Sequence, residues 1–249
     1  ATVVPNQNAE VEYNHFQEVK DQMVALQAIA TDSATTGLDR MTTIDPGTEY
    51  PSRVLGINPP PPAGVLTTTD TTITINYTKN QGEGDGGVRS KSITAQRIQY
   101  QPQYNEFHPG TLQYEHGILY LDPSSGDPVR YPSQEYPLIN EDTLRLVLAT
   151  GTIEKSGRTA TTIDISKNDV RLNDGNQGSS NSDKLSAPNY EDVRAVTFRT
   201  EAPLIWEKTF EANDNNGPDS GTVQYDNDTG KLTIKPSSKS LDIYIVDIS

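Results

Sequence analysis

One stretch constrains the fold more than any other. Residues 8–30, NAEVEYNHFQEVKDQMVALQAIA, are the only strongly helical run in the chain. Phe16, Val19, Met23, Leu26 and Ala30 recur at alternating three- and four-residue steps, with Tyr13 and Ile29 beside them. That spacing lines the apolar side chains along one face of a helix. Glu12, Glu18, Lys20 and Asp21 read as the opposite, solvated face. A stripe this long must be covered, and everything after it reads as β. The question the sequence poses is therefore what the helix packs on.

The helix is expected to end between residues 31 and 37, where Gly37 can supply a left-handed cap. Ahead of it, residues 1–8 read as an extended arm with Val3 and Val4 as its apolar grip. Such an arm can add a strand to a neighbouring subunit's sheet. Residues 59–62 are all proline and must be extended, as a rigid strap across the surface or as a ligand for an aromatic groove, with the strap favoured.

Strand signals then become regular. Residues 71–78, 92–100, 144–149, 161–166, 193–200, 221–225, 231–235 and 241–248 alternate or run apolar at strand length. Residues 111–114 and 117–122 read as a hairpin around Glu115 and His116, and the terminal strand reads as buried within a sheet. Gly- and Pro-rich turns separate these runs. The expected class is mainly β: an antiparallel sandwich or jelly roll with one N-terminal amphipathic helix. The expected organisation is an arm at 1–8, a helix at 9–37 and a β region at 38–249. A division of that region into two lobes, near 123–142, stays open.

Composition narrows function by exclusion. The net charge of −14 argues against a nucleic-acid backbone as partner. There are no cysteines, which removes disulfides, thiolate nucleophiles and Cys-based zinc or iron–sulfur sites. No run reaches the roughly 18 apolar residues of a membrane-spanning helix. The chain starts without methionine, as a mature exported chain with its leader removed would. His15, placed at a helix surface or interface, His108 before Pro109 and His116 in a tight turn have no catalytic context. No metalloprotease, phosphate-loop or dinucleotide motif is present. The expectation is a protein that is not an enzyme.

Candidate sites are few. Asp214, Asn216, Asp219, Asp226 and Asp228 supply oxygen donors suited to Ca²⁺, although their spacing departs from the EF-hand pattern. Asn76 and Asn227 open N-glycosylation sequons. Tyr50, Tyr77, Tyr100, Tyr104, Tyr114 and Tyr120 belong to a tyrosine-rich set expected at sheet edges with wet hydroxyls. Residues 100–108, YQPQYNEFH, are a candidate carbohydrate-binding face.

Three runs, VVPNQNAEVEYNHFQEVKDQM, YPSRVLGINPPPPAGVL and YQPQYNEFHPGTLQYEHGILYLD, follow one another through the first half. Together they resemble a set of uncharacterised haloarchaeal cell-surface and secreted proteins. The resemblance implies a pilin-like or signal-anchor leader, then this helix, then a Thr-rich β ectodomain. It implies compartment and architecture, and no catalytic residue. The leading expectation is an extracellular structural subunit of an archaeal filament or appendage. It would self-assemble through its arm, its sheet edges and the residues Val3, Val4, Phe16, Val19, Met23 and Leu26. The alternatives are a monomeric adhesin or glycan-binding sandwich, and a viral jelly-roll surface or capsid protein.

Overall fold

The structure, a computed structural model, describes residues 3–52, 59–78, 88–131, 143–168, 193–211, 222–235 and 240–249. It opens on helix α1 (Val3–Thr36). Strands β1 (Arg40–Ile44), β2 (Ala63–Thr78), β3 (Val88–Gln103), β4 (Thr111–Glu115), β5 (Ile118–Asp122) and β6 (Val129–Tyr131) follow. Next come β7 (Thr143–Thr150), β8 (Glu154–Gly157), β9 (Thr161–Lys167) and β10 (Val193–Arg199). A short helix α2 (Pro203–Glu211) precedes β11 (Thr222–Asp226), β12 (Lys231–Lys235) and β13 (Ser240–Ile248). The protein is mainly β with one long N-terminal helix, as its strand and helix periods require.

Three expectations are corrected here. Residues 3–8 are the first turns of α1, so the extended arm is absent over them; their carbonyl groups accept from the N–H groups one turn further along the helix. The reading of everything after the first helix as β is corrected around Trp206, where the chain is helical. Residues 204–206 carry too little alternation to hold a strand, and Pro203 suits a first helical position. The sheet is mixed, because β13 runs parallel to β7, from Leu241 opposite Leu144 to Asp247 opposite Thr150.

The strand order is β1-β9-β13-β7-β3-β2-β10-β12-β11, with the meander β4-β5-β6 attached to β3 and with β8 attached to β2. Long hairpin β2–β3 pairs without a break from Ala63 opposite Gln103 to Thr78 opposite Val88. Its two halves serve different cores. Leu66, Ile98 and Tyr100 join the cluster under α1, whereas Ile73, Ile75, Ile93 and Ala95 join a second cluster with Trp206. Adjacent residues of β7 divide the same way. Val147 and Ala149 face the helix-side core, and Leu146 and Leu148 face the other. Alternation along a strand puts successive side chains on opposite faces, so β7 must be apolar on both. Its LRLVLA sequence reflects that.

The stripe of α1 is covered by its own chain. Phe16, Val19, Met23 and Leu26 are at most 3% exposed and pack with Ile44, Ile163, Ile165, Val246 and Ile248. They are core residues, which corrects their assignment to assembly: a face buried at this level offers nothing to a neighbour. Val3 and Val4 lie in the first turn of the helix.

Gly37 ends α1 with φ +73°, and its N–H donates to the Ser33 carbonyl oxygen at 2.8 Å. A Cβ there would meet only the Lys167 side chain at 3.6 Å, so the conformation alone demands glycine. Gly37→Ala is expected to lower stability by about 1 kcal/mol in urea denaturation. Gly37→Asn should lose less, because asparagine tolerates the left-handed region.

Candidate functional site

Helix α1 carries polar residues inside its buried stripe. Glu12 is fully buried, one helical step before Phe16. Its Oε1 accepts hydrogen bonds from the Tyr50 hydroxyl and from the Asn105 N–H at 2.9 Å. Its Oε2 accepts the N–H groups of Glu106 at 2.8 Å and Phe107 at 2.7 Å. A single carboxylate thus organises the loop between β3 and β4. It collects backbone donors of that loop, which keeps a buried anion tolerable. Asn105 extends the tie, its Nδ2 donating to the Tyr50 hydroxyl at 2.8 Å and to the Pro60 carbonyl at 3.0 Å. The proline strap at 59–62 is fastened to the same loop, and the Thr48 N–H bonds Pro62 at 3.2 Å.

His15 continues this layer. It is buried, with Nδ1 2.6 Å from the Tyr104 hydroxyl and Nε2 3.0 Å from the Asp45 carbonyl. The surface or interface position expected for it is corrected to an interior one within the chain's own fold. Burial holds its pKa below the ordinary value, against the raising effects of the Asp45 carbonyl and of Glu18. The Tyr104 hydroxyl is also 3.4 Å from that of Tyr100, which donates to the Pro46 carbonyl at 2.9 Å. Burial pushes Tyr100 and Tyr50 each up to about 12, and pushes Tyr104 up as well. These phenols stay neutral and serve as hydrogen-bonding posts.

Above this layer the loop shapes a cavity of about 380 Å³. Tyr104 and Phe107 contribute aromatic rings to it, Gln101, His108 and Ser124 polar groups, and Asp122 a carboxylate. The Tyr104 and Phe107 rings lie 26° apart in plane with centroids 6.4 Å apart, and Phe107 meets Phe16 edge-on at 5.9 Å. The rim is fixed by the Ser124 hydroxyl, which donates to the His108 carbonyl at 2.6 Å. Gly110, with φ +104°, lets the loop pass the β5 end; a Cβ there would lie 2.1 Å from the Asp122 carbonyl oxygen.

A second polar cluster lies deeper, at the β4–β5 turn. Glu115 is fully buried, and its Oε2 accepts the Thr200 hydroxyl at 2.7 Å and the Trp206 Nε1–H at 2.9 Å. Its Oε1 is 3.9 Å from Arg97 Nη1, while Arg97 Nη2 bonds Glu201 at 2.7 Å. Burial raises the Glu115 pKa, against the lowering effects of Thr200, Trp206 and Arg97. His116, at φ +53°, is fully buried with its ring edge-on to Phe198 at 5.0 Å. Its ring nitrogens find no hydrogen-bond partner among the described residues. Burial, and then the Arg97 charge, hold its pKa down at about 3. Helix α1 reaches this turn too, since Gln27 Nε2 donates to the Gly117 carbonyl at 2.8 Å.

The tyrosines are therefore largely interior, which corrects their expected wet hydroxyls. Tyr100, Tyr114 and Tyr120 are fully buried. Tyr114 donates to the Val147 carbonyl at 3.1 Å and Tyr120 to Gln113 Oε1 at 3.1 Å. Of the calcium candidates, Asp214, Asn216 and Asp219 lie outside the described residues. Asp226 and Asp228 meet in the β11–β12 turn. There Asp226 Oδ1 accepts the N–H groups of Asp228 at 2.9 Å and Thr229 at 3.3 Å, and Oδ2 accepts the Thr229 hydroxyl at 2.7 Å. Those bonds, led by Thr229, hold the exposed Asp226 pKa below its ordinary value. They turn both carboxylate oxygens inward to the chain's own turn. Among the described residues, no three His, Asp or Glu side chains converge as a metal site. Asn227 is exposed in that turn, while Asn76 is half-buried in β2 between Ser90 of β3 and Ala195 of β10.

Sequence reasoning missed Glu12, Glu115 and His15 as architectural centres. A signal for the first was available, because Glu12 falls on the step pattern that continues through Phe16, Val19 and Met23.

Comparison with known proteins gives one distant relation. Over 116 residues, 47% of this chain, it is 29% identical to an uncharacterised protein of Archaeoglobus fulgidus. The match spans 20% of that protein's length. No family model and no solved structure matches the chain. Among the described residues, no helix is long and apolar enough to cross a membrane.

Proposed function

We propose that this chain is a structural module of an archaeal surface assembly, a non-catalytic subunit that associates edge to edge. The observation that carries the reading is the β1 edge. Among the described residues β1 pairs with β9 alone, from Arg40 opposite Ile165 to Ile44 opposite Thr161. Its outer side offers backbone groups that another strand can take up. Met41 on β1 is 68% exposed, and Leu38 just before it is 53% exposed. The rest of the edge is held rigid, by the Arg40–Asp32 ion pair at 2.6 Å and by Gln22, which accepts the Asp45 N–H at 2.8 Å. Three further points support the reading. The chain lacks cysteines, so its solidity rests on packing. Its deeply buried Glu12 is occupied in fastening a loop. The distant relation is archaeal, as is the sequence resemblance.

The route differs from the one the sequence suggested. An edge strand takes the place of a donated arm, and the α1 stripe stays inside. Native protein is expected to form filaments or discrete oligomers in electron microscopy and in sizing. Met41→Lys places a charge on the edge and should abolish assembly while leaving denaturation within about 0.5 kcal/mol of wild type. Monomeric wild-type protein at high concentration, or unchanged polymers from Met41→Lys, would sink the proposal.

A further inference from the structure

We infer that the cavity bounded by the β3–β4 loop and the end of β5 binds a neutral saccharide. The inference is independent of edge assembly and rests on size, lining chemistry and rigidity.

At about 380 Å³ the space falls at the small end of ligand sites, suited to one or two sugar rings. Its lining pairs flat apolar surfaces with hydroxyl-matching groups. Tyr104 and Phe107 line it with aromatic side chains, and Pro102 and Pro109 add aliphatic surface. Sugars present C–H faces that lie on such surfaces. Asp122, Gln101, Ser124 and Thr111 supply acceptors and donors for the hydroxyl edges. Asp122 can accept from two adjacent hydroxyls at once, since an ionised carboxylate is acceptor-only with two oxygens.

Charge selects against the competitors. The lining contains no Lys or Arg, and its carboxylate, in a chain of net charge −14, repels phosphate and carboxylate ligands. An organic cation would find one carboxylate and two rings, so it is the competitor that the experiment must separate. The lining is too polar for a purely apolar ligand, which would leave those groups unpaired.

Rigidity makes the geometry usable. The Tyr104 hydroxyl is tied to His15 and Tyr100, and the backbone of residues 105–107 hangs on Glu12. The Ser124–His108 bond and the close approach at Gly110 hold the opposite wall. A loop ordered before binding loses little entropy when the ligand arrives.

The test uses the full chain on an array of neutral glycans. Any positive glycan is then titrated by calorimetry and by amide NMR, beside tetramethylammonium chloride as the cation probe. The expected result is binding of a neutral glycan, with amide shifts at residues 101–111 and 122–124. Asp122→Asn should weaken that binding at least tenfold without changing the thermal midpoint. His108→Ala, at the exposed rim, should weaken it less and controls for general damage to the wall. No bound glycan on the array would overturn the inference. So would affinity indifferent to Asp122→Asn, shifts located elsewhere, or a site filled by tetramethylammonium and by no neutral glycan. Loss of edge assembly in Met41→Lys should leave the glycan affinity unchanged, which separates the two proposals.

Discussion

Glu12→Ala is expected to destabilise the protein by roughly 3–5 kcal/mol, measured by urea denaturation at neutral pH. The carboxylate accepts from the Tyr50 hydroxyl and from the backbone of Asn105, Glu106 and Phe107. Each buried donor left unpaired costs about 1–3 kcal/mol, less whatever the loop recovers by moving toward water. Glu12→Gln should cost less, since its carbonyl can still accept from two of those donors. Its NH₂ group would then face the other two, donor against donor. Amide hydrogen exchange separates clamp from filler. In both variants the amides of residues 105–107 should lose protection, while those of β7 keep theirs relative to global stability. Retained protection at 105–107 would mean that the loop holds itself. The saccharide site should respond in parallel, because its aromatic wall hangs from the same carboxylate.

Glu12 also marks where the sequence was legible and where it was not. The stripe Phe16, Val19, Met23, Leu26 and Ala30 could be read from spacing, and all of it is buried. Glu12 sits on the same period, yet its charge argued for the solvated face. Period outweighed residue type because the loop at 105–107 supplies compensating donors from about ninety residues away. Nothing local to either segment announces that pairing. Strands were legible where one alternation dominates, as in β9 and β12, whose buried residues are Ile163, Ile165, Leu232 and Ile234. The parallel pairing of β13 with β7 was not, since strand direction depends on chain crossings that periodicity does not encode. Residues 3–8 read as an arm because they lack apolar periodicity of their own; they extend a helix nucleated by the stripe that follows. The cavity was partly legible: YQPQYNEFH stands out for its aromatics, but Asp122 and Ser124 come from the far end of the next hairpin and just after it.

Acid stability should show a two-stage profile set by Glu115 and His116. In the folded protein His116 stays neutral down to about pH 3, whereas an unfolded histidine takes its proton near 6.5. The unfolded chain therefore binds more protons over that window, and stability falls as pH drops through it. At 1.36 kcal/mol per pH unit the full loss is about 5 kcal/mol. Glu115 acts in the opposite sense. Its folded pKa is raised above 4.5 by burial, so the folded state takes up a proton before the unfolded chain does. Acidification through its folded pKa relieves a penalty present at neutral pH, and the gain is complete once the pH is below 4.5. The two contributions oppose each other while Glu115 titrates, and only the loss from His116 continues below. The expected curve of unfolding free energy falls less steeply while Glu115 takes up its proton than it does between about pH 4.5 and 3, where the loss from His116 acts alone. Glu115→Gln removes the compensating carboxyl together with the buried-charge penalty, so its curve should follow the His116 loss alone below about pH 6.5. His116→Asn keeps a side chain suited to the positive φ and removes the titration, so its acid limb should flatten relative to wild type. Urea denaturation from pH 7 to 3 on the three proteins provides the comparison. Ordinary surface carboxylates contribute equally to each, and the differences isolate the buried pair. Parallel curves for wild type and His116→Asn through this range would show that the ring gains a proton without leaving the fold. That would require the β4–β5 turn to open under Trp206 and Phe198, against the packing that now buries it.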